Sequence, residues 1–261
     1  MLAKKDALLH AANVRVETDS KVLVDNAAIT INAGEVVVLL GPNGAGKTSL
    51  LRALLGMGSS AARVNILGQP VTALSTRELA LRVSYLPQVR ETAWPNRVFD
   101  AVALGRFAHG IALGNLSVED TQATLDAITA CDLTDLQNRN VDTLSGGELA
   151  RVHCARLYAA NTPLLIADEP TAGLDPQQQH RIAQLFRAYI SPTQSVLMVI
   201  HDVNLALRYA TRLIWMEAGR IAYDTKPDEV TAELITEIYK VKTEFVAADD
   251  GVKQFIMAPF K

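Results

Sequence analysis

Three stretches stand out in the pattern of apolar and polar positions: Val36–Leu40, Leu164–Ala167 and Val196–Ile200 are continuously aliphatic. Unbroken apolarity over so short a run predicts strands buried on both faces of a parallel sheet, with helical stretches separating them. Each run ends on a residue of different character, Gly41, Asp168 and His201 in turn. Because open α/β sheets bind ligands at the carboxyl ends of their strands, these three positions mark where chemistry is expected. Between about Gln88 and Thr143 the strand signal fades, and Val118–Cys131 carries Leu125 and Ile128 at helical spacing with alanines between them. That predicts a helical insertion, loop-like at its start (Pro87, Pro95, Asn96), punctuated by Gly105, Gly110 and Gly114, and joined to the rest by a hinge. Beyond Gly219 the pattern predicts a short strand at Arg220–Asp224, a helix around Asp228–Tyr239 and a strand-like end, with no chemical motif.

Composition narrows the class without choosing a function. Of 261 residues, 49% are hydrophobic and 20% charged, which suits a globular chain and excludes intrinsic disorder. The apolar runs fall well short of the roughly 18 residues that a membrane span needs. The N-terminus MLAKKDALLH has no long apolar stretch or small-residue cleavage site, so a cytosolic chain is expected. Cys131 and Cys154 form no CxxC pair and imply neither a disulfide nor a metal site. The net charge of −3 supplies no field that would draw the molecule onto nucleic acid or anionic lipid. No repeat is present, and each motif below occurs once.

The residues Gly41, Pro42, Asn43, Gly44, Ala45, Gly46, Lys47 and Thr48 fit G-x-x-x-x-G-K-[ST], between an apolar strand and the helical pattern Leu50, Leu51, Leu54, Leu55. Glycines let backbone N–H groups converge on phosphate, and the helix opening near Lys47 adds the positive end of its dipole. Lys47 is expected to bridge the β- and γ-phosphates and Thr48 to offer its hydroxyl to Mg²⁺, with Ser49 completing the nucleotide-binding stretch. Asp168 and Glu169 put two carboxylates at the end of a buried strand, where unpaired charge is costly unless a cation or proton donor faces it. Asp168 fits the magnesium-holding acid, and Glu169 is placed to polarise an attacking water. Leu144-Ser145-Gly146-Gly147-Glu148 is a Ser-x-x-Glu capping box, but two glycines in a first helical turn lower helix propensity. That cost is better explained by a backbone that must approach a ligand, with an anion the obvious candidate. The chain thus has two helix N-termini suited to phosphate and only one Lys-Thr, so a second molecule could supply the missing half.

In this order, Gly41–Thr48, Leu144–Glu148 and Leu164–Glu169 resemble the ATP-binding cassette ATPases, and the resemblance covers nearly the whole chain. Gln88, Ala172-Gly-Leu-Asp175 and His201 fall where that family has its glutamine, aspartate and switch-histidine loops. The resemblance implies an α/β P-loop NTPase core with a mostly parallel sheet, an N-terminal antiparallel β portion and an inserted helical subdomain. It implies one domain over residues 1–261, with the helical subdomain at about 89–160 and a C-terminal extension at about 220–261. In that family two cassettes pair head to tail. Ser145, Gly146, Gly147 and Glu148 would then face the γ-phosphate on the partner's copy of Lys47, and Asp175 would cross the interface. Gln88 would sense Mg²⁺ and the attacking water, and His201 would contact the γ-phosphate. Catalysis would rest on Glu169, His201, Gln88 and Lys47, and magnesium on Thr48, Gln88 and Asp168, with ATP and Mg²⁺ as cofactors.

Ala101-Val-Ala-Leu-Gly-Arg106-Phe-Ala-His109 and His201-Asp-Val-Asn204-Leu-Ala look like the cytosolic ATPase of importers for iron chelate, haem or cobalamin. That implies a homodimer on the cytoplasmic side of the inner membrane, peripheral to two transmembrane permease subunits and indirectly served by a substrate-binding protein, without nucleic acid. A coupling helix of the permease would dock around Gln88–Arg106. Two departures are visible. Val14–Leu23 lacks the family's usual aromatic residue for adenine, leaving Thr18 or its neighbours in that zone and Arg15 as an alternative stacking group. Glu148 stands where glutamine is commoner. A soluble cassette ATPase of DNA repair or chromosome maintenance is the alternative, but it would be expected to carry a long coiled coil or basic stripe. A small-molecule kinase shares the phosphate loop but not the Leu144–Glu148 motif.

Overall fold

The computed structural model describes residues 7–18, 21–58, 60–89, 97–111, 115–247 and 251–259. Pro95, Asn96 and Gly114, three of the predicted loop signals, lie outside the described residues. Strands β1 (Ala7–Thr18) and β2 (Lys21–Asn32) form an antiparallel pair. The first buried run is β3 (Val36–Leu40), followed after the phosphate loop by α1 (Lys47–Leu54). β4 (Ser60–Ile66) returns to pair with β1, β5 (Gln69–Pro70) adds to its edge, and α2 (Thr76–Ala80) leads to β6 (Val83–Leu86). The insertion contains α3 (Val98–Ala103), α4 (Val118–Ala130) and α5 (Gly146–Ala160). Then come β7 (Leu164–Asp168), α6 (Pro176–Tyr189), β8 (Ser195–Val199), α7 (Val203–Tyr209), β9 (Arg212–Glu217) and β10 (Arg220–Thr225). The chain closes with α8 (Ala232–Tyr239) and a hairpin of β11 (Lys242–Ala247) and β12 (Lys253–Ala258).

The central sheet has the order β10-β9-β3-β8-β7-β6, parallel except for the β9–β10 hairpin. β3, β7 and β8 are buried at every position, so the continuous aliphatic runs answer to a sheet covered on both faces. A second sheet, β2-β1-β4-β5, is antiparallel. Two apolar clusters divide the interior. One fills the space between this second sheet, α1 and one face of the central sheet, using Leu9, Ile31, Leu39, Leu50 and Ile66. The other joins the opposite face to the inserted helices and the C-terminal elements, through Val38, Ile128, Cys154, Phe186, Trp215 and Ile238.

Predicted boundaries shift where capping chemistry intervenes. The helix expected from Asp228 starts at Ala232, because Pro227–Glu229 turns as a separate 3₁₀ segment and the Thr231 side chain accepts the Leu234 N–H. The helix from Val118 ends at Ala130, with Cys131 as its C-cap. Both cysteines are buried.

Candidate functional site

The phosphate loop is held open by its own backbone. Gly46, the N-cap of α1, lies at φ +97 with no side-chain cap, so no side chain takes the amides that begin the helix. A Cβ at Gly46 would sit 2.3 Å from the Leu23 carbonyl oxygen, so a side chain is excluded by crowding as well as by conformation. The result is an uncapped helix N-terminus facing a hollow of about 190 Å³, lined by Leu23, the loop and Glu169. Lys47 is buried, and its ammonium donates to the carbonyls of Gly41 at 2.7 Å and Pro42 at 3.0 Å. Burial pushes its pKa down, against the opposing pull of Glu169 and Asp168.

Beside the loop, β7 delivers two carboxylates to two different settings. Asp168 is fully buried, and its Oδ1 accepts the Thr48 hydroxyl at 3.2 Å while Oδ2 is buried without a hydrogen-bond partner. Burial raises its pKa, with the Thr48 hydrogen bond acting the other way. Glu169 turns into the left-handed region at φ +50, breaking the strand alternation. Its Oε2 accepts the Gln88 amide at 2.8 Å, and its Oε1 lies 2.7 Å from His201 Nε2. The second buried run ends in Asp168 and Glu169 and the third leads to His201, so adjacent strands β7 and β8 bring the pair and the histidine together.

The site residues therefore fall into two groups. Gly41–Ser49, Gln88, Asp168, Glu169 and His201 converge, whereas Ser145, Gly146, Gly147, Glu148 and Asp175 do not line the phosphate-loop hollow. Ser145 and Glu148 form a reciprocal capping box at the start of α5, which holds the Glu148 carboxyl below its usual range and leaves the amides of Gly146 and Gly147 outside that pair. Asp175 caps α6 through the Gln178 N–H at 2.9 Å. Gln178 in turn packs against Gly147 and accepts from Arg151 at 3.1 Å, joining the Asp175 turn to the Ser145 turn. The Arg15 guanidinium is held through the N–H donors along its edge by Glu17 and Asp25. Thr18 bonds the Lys21 carbonyl instead of lining the hollow, where Leu23 is found. Leu23 was hidden in sequence because an aliphatic residue in a strand carries no chemical signal.

The unpartnered Asp168 oxygen next to the Thr48 hydroxyl fits a small hard cation, which needs few protein ligands when phosphate and water supply the rest. Among the described residues no cluster of three or more His, Cys, Asp or Glu could hold a metal by itself. A second, larger cavity of about 690 Å³ opens between α2, β6 and the insertion, lined by Arg77, Tyr85, Leu104, Phe107, Arg156 and Leu157 among others. Phe107 at its edge is 72% exposed. No helix among the described residues is long and apolar enough to cross a membrane.

Comparison with known proteins identifies the family. Residues 24–172 match the family described as ABC transporter. A hemin import ATP-binding protein HmuV of Streptomyces coelicolor is 38% identical over 244 residues, covering 93% of this chain and 86% of the relative. One of the same name from Burkholderia thailandensis is 36% identical over 270 residues, covering 96% and 99%. Among solved structures, a chain of a provisionally assigned metal-chelate type ABC transporter, inward-facing, superposes with a TM-score of 0.81 at 21% identity, covering 97% of this chain and 98% of that one. An ATP-binding cassette in a dimeric post-hydrolysis state bound to ADP and Pi superposes at 0.71 with 26% identity, covering 84% and 98%.

Proposed function

The chain belongs to the ABC transporter family as an ATP-binding, ATP-hydrolysing subunit, and from that premise we propose that it powers hemin import as one half of a head-to-tail dimer. The observation that carries the site assignment is the double engagement of Glu169, by Gln88 and His201, one residue beyond the Thr48–Asp168 contact.

In this reading the uncapped amides of α1 and the Lys47 ammonium bind the β- and γ-phosphates. Thr48 and Asp168 hold Mg²⁺, with Gln88 at the edge of that set. When bound, the ion would neutralise charge on the phosphates. Glu169 orients the attacking water and accepts its proton, so water takes up part of the carboxylate that Gln88 and His201 engage. His201 steers that carboxylate and reaches the γ-phosphate once nucleotide is in place. Ser145, Gly146 and Gly147 of a second copy close over the phosphate, which accounts for two phosphate-seeking turns lying apart in one chain. Asp175 crosses to the other copy.

The cavity beside Phe107 supports docking of a permease helix, over a surface that reaches α2 and β6 as well as the insertion. Two transmembrane permease subunits, a substrate-binding protein outside them and a position at the cytoplasmic face of the inner membrane complete the assembly. The names of the relatives favour hemin over other iron chelates or cobalamin. A role in chromosome maintenance has no support here: the longest described helix, α5, has 15 residues, too short for a coiled-coil arm.

The test combines chemistry and cargo. Glu169→Gln is expected to bind ATP, form a stable dimer and hydrolyse at least about a hundredfold more slowly; a monomer with unchanged turnover overturns the assignment. In proteoliposomes with the permease and binding protein, hemin is expected to stimulate hydrolysis, while stimulation by cobalamin or a ferric siderophore alone would reassign the cargo.

A further inference from the structure

The family match ends at residue 172, yet the C-terminal extension bonds both the first residue of the phosphate loop and the helix that follows His201. Tyr239, the last residue of α8, accepts the Gly41 N–H on its hydroxyl at 3.1 Å. Gly41 is the first residue beyond β3, where its buried N–H leaves the parallel ladder and needs a partner. The carbonyl of the same residue accepts the Lys47 ammonium. Burial pushes the Tyr239 phenol up to about 12, so it is neutral under ordinary conditions. The second contact lies on α7, the helix entered directly after His201. There the Asn204 amide donates to the Phe255 carbonyl at 3.0 Å and accepts the Phe255 N–H at 2.9 Å, reproducing with a side chain the paired bonds of a strand neighbour. The hairpin carrying Phe255 is fastened to the approach of α8, because Lys253 donates to the carbonyls of Asp228 and Val230 at 2.6 and 2.9 Å. Tyr239 and Phe255 thus belong to one linked unit.

We propose that this unit is a brace for the nucleotide site, in which Tyr239 is a positioning residue for Gly41 and Lys47, and Asn204 is a positioning residue for His201. The two arms act on different quantities. The Tyr239 arm sets where the phosphate-binding lysine and its loop rest, and so governs affinity. The Asn204 arm sets the helix behind the histidine that steers Glu169, and so governs turnover. The inference rests on Lys47 and His201 having the roles proposed above.

The experiment uses the full chain, with MgATP binding by equilibrium dialysis, steady-state ATPase and thermal melting. Tyr239→Phe is expected to raise the Kd and KM for ATP about fivefold, the equivalent of one ordinary hydrogen bond, with kcat changed less than twofold. Asn204→Leu is expected to lower kcat about tenfold with KM nearly unchanged. If that variant is insoluble, Asn204→Asp, which keeps the acceptor for the Phe255 N–H and loses the donor, is read the same way. A purely structural role would lower the melting temperature and move neither parameter, and failure of either variant to move its own parameter overturns the brace. Lys47→Ala is the control. If it still binds ATP, the site assignment falls; if it loses ATP while Tyr239→Phe does not, only the brace falls.

Discussion

At the scale of single residues, the two carboxylates of β7 are separated by conformation. Asp168 continues the strand inward to Thr48, and the left-handed turn at Glu169 sends the next side chain toward Gln88 and His201. Adjacent acids can thereby serve an ion and a water without competing. Asp168 also carries a cost, since burial raises its pKa. For an acid whose folded pKa lies above its unfolded value, the penalty is present when it is ionised at neutral pH and is relieved as pH falls through the folded pKa. Asp168→Asn removes the penalty at neutral pH, so the nucleotide-free variant is expected to melt at or above the temperature of the parent while losing Mg²⁺-dependent hydrolysis. Calorimetry with and without MgATP checks both halves, and a lower melting temperature would contradict the account. The acidic pair and the lysine were legible in sequence because charge at the end of a buried strand demands a partner. Leu23 and Tyr239 were not, since an aliphatic side chain beside a loop and a phenol in a distant helix acquire meaning only through tertiary contact.

At the scale of elements, continuous aliphatic runs identified β3, β7 and β8 to within a residue, and the capping box identified the start of α5. The insertion was recognisable as helical, and Gly110 does end a 3₁₀ segment in the left-handed region, but Gly105 was misleading. Gly105 reads in sequence as punctuation, whereas it lies in a 3₁₀ segment pressed on α5, where a Cβ would meet the Arg156 carbonyl at 2.1 Å. Its smallness serves close approach between elements. Gly105→Ala is therefore expected to destabilise the protein by about 1–3 kcal/mol, as overpacking does, while ATP affinity at the phosphate loop stays within twofold. Denaturant melts beside nucleotide titration measure the two effects, and an unchanged melt would show that the contact yields easily. The C-terminal hairpin was anticipated only as a strand-like end, because its docking depends on partners distant in sequence, Asn204 for Phe255 and the Asp228 and Val230 carbonyls for Lys253.

At the scale of the whole molecule, one chain holds a complete phosphate loop and, elsewhere, the Ser145–Gly147 turn that does not line it. The proposed dimer joins these across two chains, and mixing variants tests it directly. Lys47→Ala and Gly147→Glu are each expected to be inactive alone. Mixed together, they form some dimers in which one site carries both lesions and the other carries none, and those dimers should regain measurable ATPase. No recovery at any mixing ratio would argue against sites shared between copies. The separation of these two turns also has a genetic reading. A cell that makes an altered copy beside a normal one would spread the fault over most of its dimers while leaving one sound site in each mixed pair, so a damaged allele of this subunit should behave as a partial dominant and not as a silent recessive.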